Sequence, residues 1–364
     1  MSSLTNSLLV TRPRENAGSE TDSRYNYQKD LALYMLIDLH QASADYVMLF
    51  DYHDDIALLD QESAPQFIDF YQVKTKGAGH WLMSDLILAD GSKLSILGKL
   101  YKNKINFNTH TRSLNFVTNA GLKLTLNSGK DTAGLSEINA ADLKDTVIRE
   151  VNDKLQKEHG LDETPSFETL TAFKVSPLSL KDSARHCSGA LNTLFEKLNP
   201  NYSGNTNLAY KKIFNEIKIR TDRTIDAIGM AGLEQLIAQK GISKREFEEI
   251  LRVAGLYRNA DQIWSEINTA LLSAGAGIPE INQYKRYWRD AYVRTLNQPS
   301  NTPLSKTVEY INGVVAVSLD DPAHARFDIR QLVAATEARC TDLPYQIFDA
   351  KFVKGAILNA IYND

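Results

Sequence analysis

Gln72 and Lys74 stand two residues apart in the segment DFYQVKTKG, residues 69–77, where they interrupt an apolar stretch. Residues i and i+2 of a strand leave the same face, displaced by roughly 6.6 Å along it. The preceding stretches DYVMLFDY and DIALLD are also short and apolar, and the breaks HD and QESAP, the latter leading into QFIDFYQVKT, read as turns between three sequential strands. With Asp60 and Phe67 flanking the second turn, Asp55 falls directly opposite Gln72, Cβ to Cβ about 4.5–5.5 Å. A tight turn through Tyr52, His53 and Asp54 sets Asp51 opposite Asp55 in the same way. One patch of sheet then holds two carboxylates, a carboxamide and an ammonium.

Hard oxygen donors of this kind suit Mg²⁺, which prefers oxygen and keeps several waters. An ion so held polarises a phosphoryl oxygen and acidifies a water, while a lysine orients that water or offsets charge on the phosphate. The set is that of a metal-assisted phosphodiester hydrolase. Taken singly, each residue has a plainer explanation: an Asp or Lys on a strand ordinarily faces solvent, and Asp54 is an ordinary turn residue. The combination on one patch is what carries the reading. Gln28 adds to it, because it precedes Leu31, Ala32 and Met35 at helical spacing and sits on an apolar stripe from which it can reach the same patch.

The elements that must position these groups are legible in outline. Helical spacing runs from Arg24 to His40, three strands follow, SKLSILGKLYKNKINF returns to helical spacing, and RSLNFVTNAGLKL reads as a fourth strand. This predicts an α+β chain, with an αβββαβ core over residues 24–135 behind a flexible lead, residues 1–23. Beyond Ser136 helical patterns dominate, with TAFKV and GVVAVSL as the possible strands, so residues 136–364 are expected to form a helical domain for partner docking and oligomerisation.

Composition narrows the class. A net charge of −4 means that any nucleic-acid footprint must be local. GKLYKNKINFNTHTR supplies Lys99, Lys102, Lys104 and Arg112 with Tyr101 and Phe107 between them, which suits a DNA backbone track, a solvated helix face being the plainer reading. Lys76, just after Lys74, is the best placed basic residue for phosphate contact. Two cysteines far apart suggest neither a thiolate zinc site nor a disulfide framework. LALYMLIDL is broken by Asp38 and too short to span a bilayer, and no secretory leader is evident, so a cytoplasmic protein without membrane contact is expected.

A strand-borne Asp, a QVK in the next strand, then helix and strand resemble the core of PD-(D/E)XK nucleases, with Gln72 in place of the acidic residue of the E-x-K triad. The segments RYNYQKDLALYMLIDL, VMLFDYHDDIALL, DFYQVKTK, LGKLY and NFVTNAG are similar to the endonuclease domain of CD-NTase-associated antiphage effectors, which also serves Lamassu-type defence complexes. The resemblance implies a restriction-endonuclease-like core and cleavage of double-stranded DNA with Mg²⁺, for which Mn²⁺ substitutes. Asp55 would be the main metal ligand, Gln72 and the Val73 carbonyl further ligands, and Lys74 the catalytic lysine, with Asp51 and Gln28 auxiliary. Asp51 stands where much of the family has Glu, and its ligand role is open. The resemblance further implies an SMC/Rad50-like ATPase partner with a small accessory subunit, restraint until a trigger is sensed, and homo-oligomers when active. The alternatives are activation by a cyclic oligonucleotide, or a non-catalytic interaction subunit that keeps a nuclease fold.

Overall fold

The computed structural model describes residues 3–10, 22–42, 45–91, 93–200, 202, 204–224, 232–254, 260–297 and 302–362. Two compact units emerge. The first comprises residues 1–190 and 217–247, and the second comprises residues 191–216 and 248–364, so the chain leaves the first unit and later returns to it.

The first unit opens with α1 (Ser3–Val10) and α2 (Asp22–Ala42), followed by β1 (Val47–Tyr52), β2 (Asp54–Leu59) and β3 (Ile68–Lys74). Then come β4 (His80–Leu82), α3 (Met83–Ile87), α4 (Ile96–Phe107), β5 (Thr111–Thr118) and β6 (Gly121–Lys123). Past these lie β7 (Glu137–Asn139), α5 (Asp145–His159), β8 (Thr171–Val175) and α6 (Ser183–Leu198). The chain returns along α7 (Thr206–Asp222) to α8 (Leu233–Lys240), β9 (Gly241–Ser243) and α9 (Lys244–Val253).

A seven-stranded mixed sheet in the order β7-β8-β5-β3-β2-β1-β9 forms the centre. β1, β2 and β3 are antiparallel neighbours, and β3 pairs in parallel with β5. A parallel neighbour needs a long crossover, which here contains α4. That helix starts where the Ser95 hydroxyl accepts from the Gly98 N–H at 2.9 Å. Its inner side, Leu97, Leu100 and Phe107, packs into one core with Val47, Leu49, Ala57, Leu59, Ile68 and Phe70 of the sheet.

Three expectations need correction. The core does not stop at residue 135, because β7 and β8 extend one side of the sheet and β9 pairs with the outer side of β1. The lead is not wholly loose: α1 buries Leu4 and Leu8 in the core, and the Leu8 carbonyl accepts from the Tyr52 hydroxyl at 2.7 Å. Residues 11–21 of the expected lead lie outside the described residues. GVVAVSL is helical, not a strand, because a Thr302–Ser305 capping box and Pro303 start a helix that runs through it.

The second unit is helical among its described residues. To residues 191–216 it adds α10 (Ala260–Ser273), α11 (Ile278–Asn297), α12 (Pro303–Leu319), α13 (Ile329–Arg339) and α14 (Ala350–Tyr362). Ile263, Ile267, Trp288, Ile311, Val333 and Ile357 are among the residues that form its separate core. No described helix is long and apolar enough to cross a membrane. Both cysteines are free thiols.

Candidate active site

The β1–β2 hairpin keeps the register that its loop length implies. Phe50 pairs with Ile56 and Tyr52 with Asp54, which places Asp51 across from Asp55. The turn is unusual because Asp51 and His53 both hold left-handed backbone, φ 46° and 65°. For a non-glycine residue that conformation costs about 1–2 kcal/mol. It has a purpose. Val47 and Leu49 face the core beside α4, and strict alternation would send Asp51 there too, yet Tyr52 takes that place. On the other arm Asp54 is the aspartate turned to α4, where its Oδ2 accepts from Asn103 Nδ2 at 2.6 Å and its Oδ1 from the Asp55 N–H at 3.0 Å. Asp54 therefore braces the turn. His53 is packed between the rings of Tyr52 and Phe107, at 4.5 and 4.8 Å.

The ladder between β2 and β3 stops at Ile56 and Tyr71, whereas β3 stays paired with β5 as far as Lys74 and Thr118. Into that gap goes the Asp55 carboxylate. Its Oδ2 accepts from the Val73 N–H at 2.6 Å and from Gln72 Nε2 at 2.7 Å, and Lys74 Nζ stands 4.0 Å away. Gln72 is buried, whereas the Lys74 and Asp55 side chains keep 35% and 17% exposure, enough to meet a substrate. Gln28 of α2 donates Nε2 to the Val73 carbonyl at 3.5 Å, so it touches this group.

Gln28, Asp55, Val73 and Lys74 open onto a cavity of about 640 Å³. Asp51, Asp55 and Lys74 line it, as do Arg24 and Lys29 from α2 and Lys99 from α4. Four cations against two carboxylates leave a positive excess among the described lining residues, which favours an anionic ligand. Burial pushes the Asp51 carboxyl above its ordinary range; Lys240 opposes the rise and the Asp55 charge adds to it.

A buried Asp51 carboxyl whose ionisation the Asp55 charge disfavours, with an amide and a carbonyl nearby, is a donor set that a hard divalent cation would relieve. Among the described residues no group of three His, Cys, Asp or Glu is arranged to hold a metal, so most of an ion's remaining coordination would be carbonyl, amide and water oxygen. That is the composition Mg²⁺ tolerates best.

The other expected DNA-contacting residues are dispersed. Lys99 reaches the cavity, and Lys102 is half-buried on the same helix. Lys104 donates to the Asn108 carbonyl at the end of its own helix, 2.8 Å. Lys76 is held by Asp85 at 2.7 Å, by the His80 carbonyl at 2.9 Å and over the Trp81 ring. Arg112 forks onto Asp69 at the opposite end of β3 from Lys74. Lys76 and Arg112 thus each have a carboxylate partner within the protein. Lys29, Lys240 and Asp222 were not expected near the site. The available signal is that α2 buries residues around most of its circumference, from Tyr27 through Lys29 and Asp30 to Ile37, which leaves little polar face to hold Lys29 in solvent.

Neutralising Asp51 is expected to stabilise the first unit. A carboxyl whose pKa is raised by folding loses stability as pH climbs from its unfolded value, 3.8, through its folded one, and pays the full cost above both. Asn also adopts the left-handed conformation readily. Asp51→Asn should therefore melt higher than wild type at neutral pH, the gap closing as pH falls toward 3.8 in a denaturation series.

No curated protein matches the chain. A family model described as Cap4, dsDNA endonuclease domain, matches residues 16–221, a span that includes Asp51, Asp55, Gln72, Lys74 and both cations of α2 and ends before α8 and β9. With more than half its length matched, the chain belongs to the Cap4 dsDNA endonuclease domain family, and the cavity at the β1–β2 hairpin is the DNA endonuclease's candidate active site.

Proposed function

We propose that this protein is a divalent-metal-dependent endonuclease of double-stranded DNA, the restrained effector of an antiphage defence complex of the Lamassu type. The observation that carries the reading is the convergence of Asp55 and Lys74 on one positively biased cavity, with the buried Gln72 amide bonded to Asp55. A hairpin, a strand bearing Gln-x-Lys, a helix and a parallel strand follow the order of a PD-(D/E)XK core, which supports that assignment of the fold.

Asp55, the Val73 carbonyl and Gln72 would hold Mg²⁺ or Mn²⁺, with Asp51 as auxiliary. Bound there, the ion supplies polarisation of the phosphoryl oxygen and a nucleophilic water at neutral pH. Lys74, close to Asp55 and partly exposed, sets its ammonium against the charge that develops on the phosphate. Gln28 and Gln72 fix Val73 and Asp55 from either side, so these groups need little reorganisation when DNA arrives. Arg24 and Lys99 attract the backbone to the cavity mouth.

Restraint in trans by an SMC/Rad50-like ATPase with a small accessory subunit, and activation through self-association, fit a second unit that displays large apolar side chains. Ile278, Val317, Ile347 and Leu272 are each more than half exposed.

Purified protein incubated with plasmid and linear duplex should cut both with Mg²⁺ and neither with EDTA. Lys74→Ala should lower the rate by about 10²–10³-fold. Steeper than linear dependence on protein concentration would mark assembly as the switch. Metal-independent cutting, or full activity in Lys74→Ala, would refute the assignment.

A further inference from the structure

Lys29 is a buried ammonium with loose attachments. It is 5% exposed, and its ion-pair partner Asp222 lies 3.7 Å away, beyond hydrogen-bond length. Asp222 is itself half exposed and shared with Lys218 at 3.5 Å. A Tyr25 ring lies 5.3 Å from the ammonium. A buried charge is retained at high cost unless it is well paired, and this one is poorly paired while lining the same cavity as Asp55 and Lys74.

The plainest role for Lys29 would be as counter-charge to buried Asp51, but that place is filled. Lys240, which is 3% exposed and donates to the Thr221 carbonyl at 3.2 Å, is the stronger of the two cations acting on Asp51. Among the described cavity-lining carboxylates, Asp51 acts on Lys29 but does not reach it within ion-pair distance. Asp222 is cheap to give up, because water and Lys218 both remain to it.

We propose that Lys29 is a phosphate-binding residue, whose ammonium exchanges Asp222 for a nonbridging oxygen of a DNA phosphate flanking the one at Asp55. The proposal rests on the endonuclease reading above. It places the DNA strand along α2, passing Arg24 and Lys29 on one wall while Lys74 and Lys99 face it from the other.

The test is the salt dependence of duplex binding, followed by fluorescence anisotropy in the cleavage-silent Asp55→Asn background. Each phosphate contact contributes about −0.9 to the slope of log K against log salt. Adding Lys29→Gln should flatten the slope by about 0.9 and weaken binding by roughly tenfold near 0.1 M salt, whereas Lys29→Arg should keep the slope. A purely structural role predicts a lower melting temperature with an unchanged slope, and overturns the proposal. Should Lys29→Gln fail to fold, Asp222→Asn decides: freeing Lys29 should tighten binding several-fold with the slope preserved, and unaltered or weaker binding counts against it. Wild-type cleavage is assayed in parallel. A flattened slope without wild-type cleavage leaves the phosphate site standing and removes the nuclease reading, and normal cleavage with an unchanged slope does the reverse.

Discussion

Asp55→Asn should cut duplex cleavage by about 10³-fold while the protein stays folded and still binds DNA. The carboxylate does two jobs that this substitution separates. Structurally, Oδ2 accepts the Val73 N–H and the Gln72 amide at the point where the β2–β3 ladder ends. An asparagine oxygen can accept both, so the melting temperature should fall by only a few degrees, consistent with about 1 kcal/mol for weakening charge-assisted bonds to neutral ones. Chemically, asparagine does not replace the charge, which on the proposed reading would anchor the hard cation and which stands beside Lys74. Removing it leaves four lining cations against one carboxylate, so DNA affinity should hold or rise while turnover collapses. A variant that keeps cleavage within tenfold of wild type would take Asp55 out of the mechanism. A fall in binding that matches the fall in rate would make its role positional.

Gly355→Val should collapse the helical unit. At this position of α14 an added Cβ would overlap the Tyr287 carbonyl oxygen of α11, lie 2.5 Å from its carbon and 3.0 Å from the Ala291 Cβ. The obstacle is helix backbone, which cannot turn aside as a side chain can, so the two helices must separate along their contact. Phe352, Ala356 and Ile357 flank Gly355 in the core and would be pulled from it. Overpacking of a fitted core ordinarily costs about 1–3 kcal/mol, and against rigid backbone the upper end or beyond is expected. A loss of about 3 kcal/mol corresponds to a drop on the order of 10 °C in the melting of this unit by calorimetry. Gly313 of α12 is the control, since its Cβ would meet nothing within 4 Å. There Gly313→Ala should be neutral or stabilising by up to about 1 kcal/mol. Equal behaviour of the two variants would contradict the close crossing of α11 and α14.

Much of the site was legible because short-range pairing obeys arithmetic. Turn length alone gives the registers of β1 on β2 and β2 on β3, and both ladders keep them. What the alternation rule missed was the left-handed Asp51, which moves Tyr52 into the core place and turns Asp51 away from it. A hydropathy pattern has no term for a residue held at positive φ. Charge was the harder matter. Lys76 and Arg112 look free in sequence, but Asp85 and Asp69 claim them through tertiary contacts no local window reports. Lys29 looks like a solvated helix residue and is buried. The short strands β7 and β9, three residues each, carry too little periodicity to be found, and GVVAVSL is β-branched enough to mislead until its helix cap upstream is weighed.

β9 has a further consequence, for the order in which the protein is made. Until Gly241–Ser243 emerge from the ribosome, β1 has hydrogen-bonding groups open along its outer side, and α8, which carries Lys240, has not yet formed. The three strands that carry Asp51, Asp55, Gln72 and Lys74 are complete by Lys74. At roughly 5–20 residues per second, closure of that edge follows some 10–30 s later. For that interval a nascent chain presents an unpaired strand, the kind of surface that recruits chaperones or neighbouring chains. Lys240, the cation that acts on the buried Asp51 carboxyl, likewise arrives only with this late segment.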